Sequence, residues 1–330
     1  MAAFDFGDQM AAHRDRTNED GFPIRTRALR ALLTFLDARG YDFVTPTPSV
    51  CRRAAERGLS RTARLRAIFG WSQAFARSDL DPTLFDVLAA AGVVGEETDG
   101  FKSRVRVSRL AGQLFLHSAF PATAADAVFL GPDSYRFARF IAQTSAGGGR
   151  VDAIAEIGCG AGVGGVTAAR LHPHARLELG DVNAAALDLA AINVAHAALA
   201  ADTRRSDGMS GLQGPYDLIV ANPPYVAGQS GRVYKDGGDM HGARLSLDWA
   251  GQALERLKPG GRLVLYTGSA ILDGGVDAFR GALEALTAGS SHRLTYEELD
   301  PDIFGGELRR EAYADVERIA AVGAVILRQR

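Results

Sequence analysis

Apolar and polar positions change period along this chain of 330 residues, and the change divides it in two. Between 24 and 39, Leu29, Leu32, Leu33 and Leu36 fall at helical spacing ahead of Gly40, and 51–57, 61–75 and 82–91 read as three further helices. Lys102–Leu110 then alternates, Ala111-Gly112 supplies a turn, and Gln113–His117 completes a hairpin. From Val151 onward short apolar runs alternate with helical ones. Strands are predicted over 151–157, 176–181, 216–221 and 262–267, helices over 166–171, 184–198, 245–257 and 277–288, and closing strands over 292–299 and 318–327. Strand and helix in alternation is the pattern of a doubly wound, mostly parallel α/β sheet. Two domains are expected, 1–120 and 121–330, with 144–149 only a short loop before the first strand of the sheet.

The chemistry lies in the second part. The run 151–157 ends at Glu156-Ile157, and Gly158-Cys-Gly160-Ala-Gly162-Val-Gly164-Gly165 follows before a helix. Glycines permit positive φ and close approach of a ligand to the main chain, and a helix N-terminus offers unpaired N–H groups. One register, Gly160-x-Gly162-x-x-Gly165, satisfies the dinucleotide fingerprint, so NAD is an alternative. Glu156 opposes it, because a carboxylate sits badly beside a pyrophosphate and well beside a sulfonium or amino group. Asp181, at the tip of the next strand, stands where a ribose diol is gripped, although a helix N-cap is the plainer role and Asn183 suits that equally. Asp207-Gly208 is either an acceptor for the amino group of adenine or an ordinary turn.

The apolar run 216–221 leads into Asn222-Pro223-Pro224-Tyr225. An amide or base nitrogen is a poor nucleophile because its lone pair is delocalised, so a site that alkylates it must hold its hydrogens with acceptors. The Asn222 side-chain oxygen and the Pro223 carbonyl are candidates, since two prolines leave carbonyls outside any ladder in a stiff extended turn. Tyr225 is expected to lie over the flat face of the target. A strand-end turn is the bland alternative.

Taken in order, Glu156 with the glycine cluster, Asp181, Asp207 and Asn222–Tyr225 resemble the motifs of class I S-adenosylmethionine-dependent methyltransferases, over roughly the last 200 residues. Within that class, the run from Tyr216 to Val226 resembles the HemK-like protein-glutamine N5-methyltransferases. The resemblance implies a Rossmann-like seven-stranded sheet whose last strand runs antiparallel. It also implies S-adenosylmethionine bound by Glu156, Gly158, Gly160, Gly162, Asp181, Asp207 and Asn222, and catalysis by Asn222, Pro223 and Tyr225. The favoured target is then a protein glutamine, with a translation factor as partner. Alternatives are an adenine-N6 or other base amino group in RNA or DNA, a small metabolite, or a non-enzymatic RNA-binding or assembly protein on the same fold. Guanine-N2 enzymes tend to carry Phe in place of Tyr225. The segment Phe129–Ile141 departs from the release-factor pattern and resembles the broader "methyltransferase small" proteins. No chemistry is assigned to Asp236, His241 or the 300–306 loop, which are expected to be solvated.

Composition bounds this reading. A net charge of −2 gives no global drive toward a polyanion, Cys51 and Cys159 are too few for a disulfide framework or a zinc site, and no metal is expected. Neither a signal pattern nor an apolar span is seen, so a cytoplasmic protein without membrane contact is expected. The helices and hairpin of 1–120 suggest a winged-helix-like unit that docks the substrate, with Arg104, Arg106 and Arg109 as outward charges on its first strand.

Overall fold

The computed structural model describes residues 23–57, 63–145, 149–227 and 237–330. The chain forms two compact units, Met1–Ala122 and Thr123–Arg330.

In the first unit, α1 (Ile24–Ala38) buries the leucine stripe 29, 32, 33 and 36, and is followed by α2 (Pro48–Glu56), α3 (Arg64–Phe69) and α4 (Pro82–Ala90). The start of α4 is encoded locally: Pro82 needs no N–H partner, and Asp81 accepts from Leu84 N at 3.0 Å. The helix expected over 61–75 is cut short at Phe69, and its first two residues lie outside the described ones. Gly70 packs against the Phe43 ring, where a Cβ would come within 2.5 Å, and Phe75 is drawn off into a β-bridge with Phe101. Tertiary packing overrides propensity there.

Two hairpins follow, β1 (Val94–Glu97) with β2 (Gly100–Ser103), and β3 (Val105–Leu110) with β4 (Gln113–Ser118). The second is the expected one, begun three residues later. The first escaped notice because Gly-Glu-Glu-Thr-Asp-Gly has no apolar alternation to read. Both faces of β3 are covered, which corrects the expectation of outward arginines. Arg106 is 4% exposed; its Nε donates to the Gly70 carbonyl at 2.7 Å and its guanidinium lies over the Phe43 ring. Arg109 donates to the Tyr41 carbonyl and pairs with Asp37 at 2.9 Å, which leaves Arg104 as the exposed one of the three.

In the second unit α5 (Pro132–Ser145) precedes β5 (Ala153–Ile157), α6 (Val163–Leu171), β6 (Arg176–Asp181), α7 (Ala184–His196), β7 (Asp202–Arg205) and β8 (Tyr216–Ala221). After these come α8 (Arg244–Arg256), β9 (Leu257–Leu272), the two-residue β10 (Val276–Asp277), α9 (Ala278–Thr287), β11 (His292–Asp300) and β12 (Val316–Arg328). The sheet order is β11-β12-β9-β8-β5-β6-β7, with β10 beside β9. Strands β5 to β9 run parallel, and β12 enters antiparallel between β9 and β11. This is the Rossmann-like sheet with an antiparallel closing strand. The edge strand β7 was not foreseen, its Asp-Thr-Arg-Arg being polar; β9 begins at Leu257, ahead of the strand expected from 262.

The order matters for the site. From β5 the chain builds outward to β6 and β7, then returns to lay β8 and β9 on the other side of it. The carboxyl end of β5 is thus a switch point, where diverging connections leave a crevice. In register, Ile157 stands beside Gly180 and beside Ala221, so the loops after all three strands open at one edge.

In the first unit, a buried His117 Nε2 lies 2.9 Å from Ser108 Oγ and 3.3 Å from Thr45 Oγ1. Burial, with the Arg106 charge in support, holds its pKa well below the ordinary 6.5. The unfolded chain therefore takes up a proton first as pH falls, so this contribution is present above the unfolded value and is lost below it. Urea melts followed through Trp71 in a Trp249→Phe background should show stability falling from pH 7 to pH 5 by up to about 1.4 kcal/mol per unit. In His117→Asn that slope should vanish; an unchanged slope would place its origin elsewhere.

Candidate active site and cofactor cavity

The crevice at the end of β5 is a cavity of ≈ 540 Å³ whose wall includes Glu156, Gly158, Gly160, Asp181, Asp207 and Asn222. Of the expected cofactor residues only Gly162 is off the wall. It is the N-cap of α6, at φ 77.

Two carboxylates shape the loop. Glu156, 3% exposed, accepts from Gly164 N at 2.9 Å and from Gly165 N at 2.8 Å, one on each oxygen. Those N–H groups belong to the first turn of α6, where an anion is favoured. The approach requires glycine: a Cβ at Gly164 would lie 2.5 Å from the Phe137 ring and 2.6 Å from the carboxylate itself. Asp181 accepts from Gly160 N and Asn183 N, each at 2.9 Å. Asn183 takes the N-cap role, its side chain accepting from Ala185 N at 3.0 Å, so Asp181 is free of that duty. Burial raises both acids, Glu156 to about 8, because desolvation outweighs the hydrogen bonds. Ionised carboxylates retain lone pairs beyond those bonds.

Asn222 is half-buried, and its Oδ1 is buried without a hydrogen-bond partner among the described residues. An amide oxygen left so costs about 1–3 kcal/mol unless a ligand supplies a donor. Trp249 Nε1, on the same wall, is likewise unpartnered. Pro224 lines the cavity; Pro223 and Tyr225 do not. The expectation that Tyr225 offers an open ring face is corrected. It is 9% exposed, edge-on to Phe304 with centroids 5.7 Å apart, and fills the space above Gly268, where a Cβ would meet it at 2.3 Å.

Sequence reasoning missed several wall residues. Phe129, Ser134 and Phe137 come from the segment before β5, and Leu245 and Trp249 from α8. Gly158 carried a signal for Trp249: at φ 63 it also lacks the Cβ that would meet the indole at 2.3 Å. No spacing in sequence joins the two.

Parts of this chain are similar to known proteins. Residues 140–271 match the family model of the methyltransferase small domain. A stretch of 75 residues is 41% identical to the ribosomal RNA small subunit methyltransferase C of Actinobacillus succinogenes, covering 23% of this chain and 22% of that protein. The protein of the same name from Hahella chejuensis is 34% identical over 110 residues, or 33% and 29% of the two chains. The chain thus spans less than a third of the length of these curated relatives. A SAM-dependent methyltransferase structure from Agrobacterium tumefaciens, 19% identical, covers 69% of this chain and 71% of its own, with a TM-score of 0.47.

Sheet order and matched domain define a class I methyltransferase fold, whose cofactor is S-adenosylmethionine. The wall fits that group. A buried acid would stand against a sulfonium and ammonium, Asp181 could take a ribose diol, and Phe129, Phe137, Val163 and Trp249 supply apolar surface.

Because burial pushes the Glu156 carboxyl up to about 8, a cationic ligand beside it should lower that pKa and release protons on binding. Calorimetry in buffers of differing ionisation enthalpy should show S-adenosylmethionine affinity rising between pH 6.5 and pH 9. Glu156→Gln should lose most of the rise; an identical rise in that variant would assign it to the ligand's own amine. Asp181→Ala should weaken binding by about 1–3 kcal/mol, and parent-like affinity would remove Asp181 from the ribose site.

Proposed function

We propose that the protein is an S-adenosylmethionine-dependent N-methyltransferase whose target is an exocyclic amino group of a base in RNA. The observation that carries the reading is the unpartnered Asn222 Oδ1 at the mouth of the β8 strand, in the same cavity wall as Glu156 and Asp181. S-adenosylmethionine supplies an already activated methyl group, so the chain's work is binding, orientation and acceptance of hydrogen. Glu156 stands against positive charge, Asp181 against the ribose and Asp207 against the adenine amino group. Asn222 accepts one N–H of the target, which favours a pyramidal nitrogen; as the nitrogen–methyl bond forms and the sulfur–methyl bond breaks, S-adenosylhomocysteine leaves and the nitrogen's surplus proton passes to water.

The protein-glutamine target expected from the tetrapeptide gives way here to a nucleic-acid one. The curated relatives are named for ribosomal RNA, and the ring of Tyr225 is packed inside, so its identity as Tyr or Phe is a poor guide to the target. Charge supports the change. Residues 1–122 carry 17 Lys and Arg against 14 Asp and Glu, while 123–330 carry 20 against 25. The cavity-bearing unit is thus net −5 and repels a polyanion, and the net +3 unit is the part able to recruit one. Docking of RNA through the first unit follows, with Arg52 and Arg53 exposed on α2 as contact residues.

RNA purified from cells lacking the gene should accept label from methyl-labelled S-adenosylmethionine. Asn222→Ala should lower turnover about 100-fold or more, with cofactor affinity within a few-fold, as when an oriented donor or acceptor is removed from such a site. Arg52→Glu with Arg53→Glu should raise the KM for RNA and flatten its salt dependence. Parent-rate turnover by Asn222→Ala would reduce the tetrapeptide to a strand-end turn.

A further inference from the structure

The 300–306 loop is mostly exposed, as expected, but Ile303 and Phe304 turn inward from it, and the stretch that follows packs Tyr313 against the chain just beyond the tetrapeptide. Tyr313, 2% exposed, accepts through its hydroxyl from Ala227 N at 2.7 Å, two residues beyond Tyr225. Phe304 meets the Tyr225 ring edge-on. The segment is itself anchored to the sheet, with Ile303 N donating to the Ile319 carbonyl of β12 at 2.7 Å.

A second segment closes on the same place. Gly237 N donates to the Val226 carbonyl at 3.1 Å, and Gly242 at φ 93 lacks the Cβ that would lie 2.4 Å from the Tyr225 carbonyl oxygen. His241 Nε2 lies 2.9 Å from Asp315 Oδ1 and so ties this segment to the first. Left-handed backbone marks both: φ is 56 at Phe304, 56 at Met240 and 54 at His241. Non-glycine residues hold that conformation, at about 1–3 kcal/mol each, only where surrounding contacts over-determine it, and such positions cluster at functional sites.

The mechanical consequence follows from the prolines. Pro223 and Pro224 have fixed φ and each restricts the residue before it, so Asn222-Pro223-Pro224 is stiff, while Tyr225 and Val226 are held by what packs on them. Ala221 is held in the sheet beside Ile157 and Leu265. A stiff rod fixed at one end is aimed by whatever holds the other. We propose that residues 300–315 form a positioning arm for the tetrapeptide, with Tyr313 and Phe304 holding its far end so that Asn222 meets the target nitrogen in line with the methyl donor. The proposal rests on Asn222 acting as the acceptor. Neither Tyr313 nor Phe304 lines the cofactor cavity, so both are positioning residues.

The test is Tyr313→Phe in the full chain, which deletes one oxygen from a buried ring. Affinity for S-adenosylhomocysteine should stay within about twofold, while turnover on RNA from cells lacking the gene falls about tenfold or more. Hydrogen exchange at the Ala227 and Gly237 amides, which donate to the Tyr313 hydroxyl and the Val226 carbonyl, should quicken about tenfold, with the amides of β5 unchanged. Phe304→Ala should move the same three readings in the same directions and serves if Tyr313→Phe does not fold. Parent-like turnover, or unchanged exchange at Ala227 and Gly237, would overturn the arm. An inactive parent on RNA would instead refute the RNA reading; the exchange data would still decide whether the arm holds the tetrapeptide.

Discussion

The site depends on two buried carboxylates that hold one glycine loop. Glu156 at the end of β5 takes the first N–H groups of α6, and Asp181 at the end of β6 takes Gly160 N, so the loop between β5 and α6 is held from both adjacent strands. Parallel pairing makes this possible, because it brings the carboxyl ends of β5, β6 and β8 to one edge of the sheet. Burying two acids without a cation is costly, and the raised pKa values of both record that cost. A cationic ligand relieves it. Two buried acids would accordingly favour a cationic ligand over a pyrophosphate.

Around that fixed loop the other walls are assembled from distant parts of the chain. Helix α5 brings Ser134 and Phe137, α8 brings Trp249 into the space left by Gly158, and β8 ends in the acceptor tetrapeptide. Its prolines stiffen the start of the tetrapeptide, and its far end is packed by its flanks. On the proposed reading, cofactor binding is set by the loop and target placement by β8 and what packs behind it.

How much of this was legible follows from the range of the interactions. The doubly wound sheet could be read because each strand is a short apolar run bounded by turn residues, and Glu156, Asp181 and Asn222 stood out because each lies at or beside a strand end, within two residues of a glycine or a proline. The leucine stripe of α1 and the Pro82 start of α4 were legible for the same local reason. What failed was long-range. Arg106 alternates like an outward charge yet is buried against Phe43, and Tyr225 looks like a stacking platform yet meets Phe304, 79 positions away. Trp249 fills the place of a missing Cβ at Gly158, a contact no periodicity announces. The polar edge strand β7 gave no apolar signal at all.

The central claim is that this cavity transfers a methyl group to a base amino nitrogen, and it is tested most directly by mass spectrometry of nucleosides. Total RNA would be digested from cells carrying the gene, from cells lacking it, and from deleted cells complemented with Asn222→Ala. The account predicts one N-methylated nucleoside present in the first and lost from the other two. Unchanged RNA nucleosides, with a methylated glutamine lost from protein digests of the deleted cells, would contradict it.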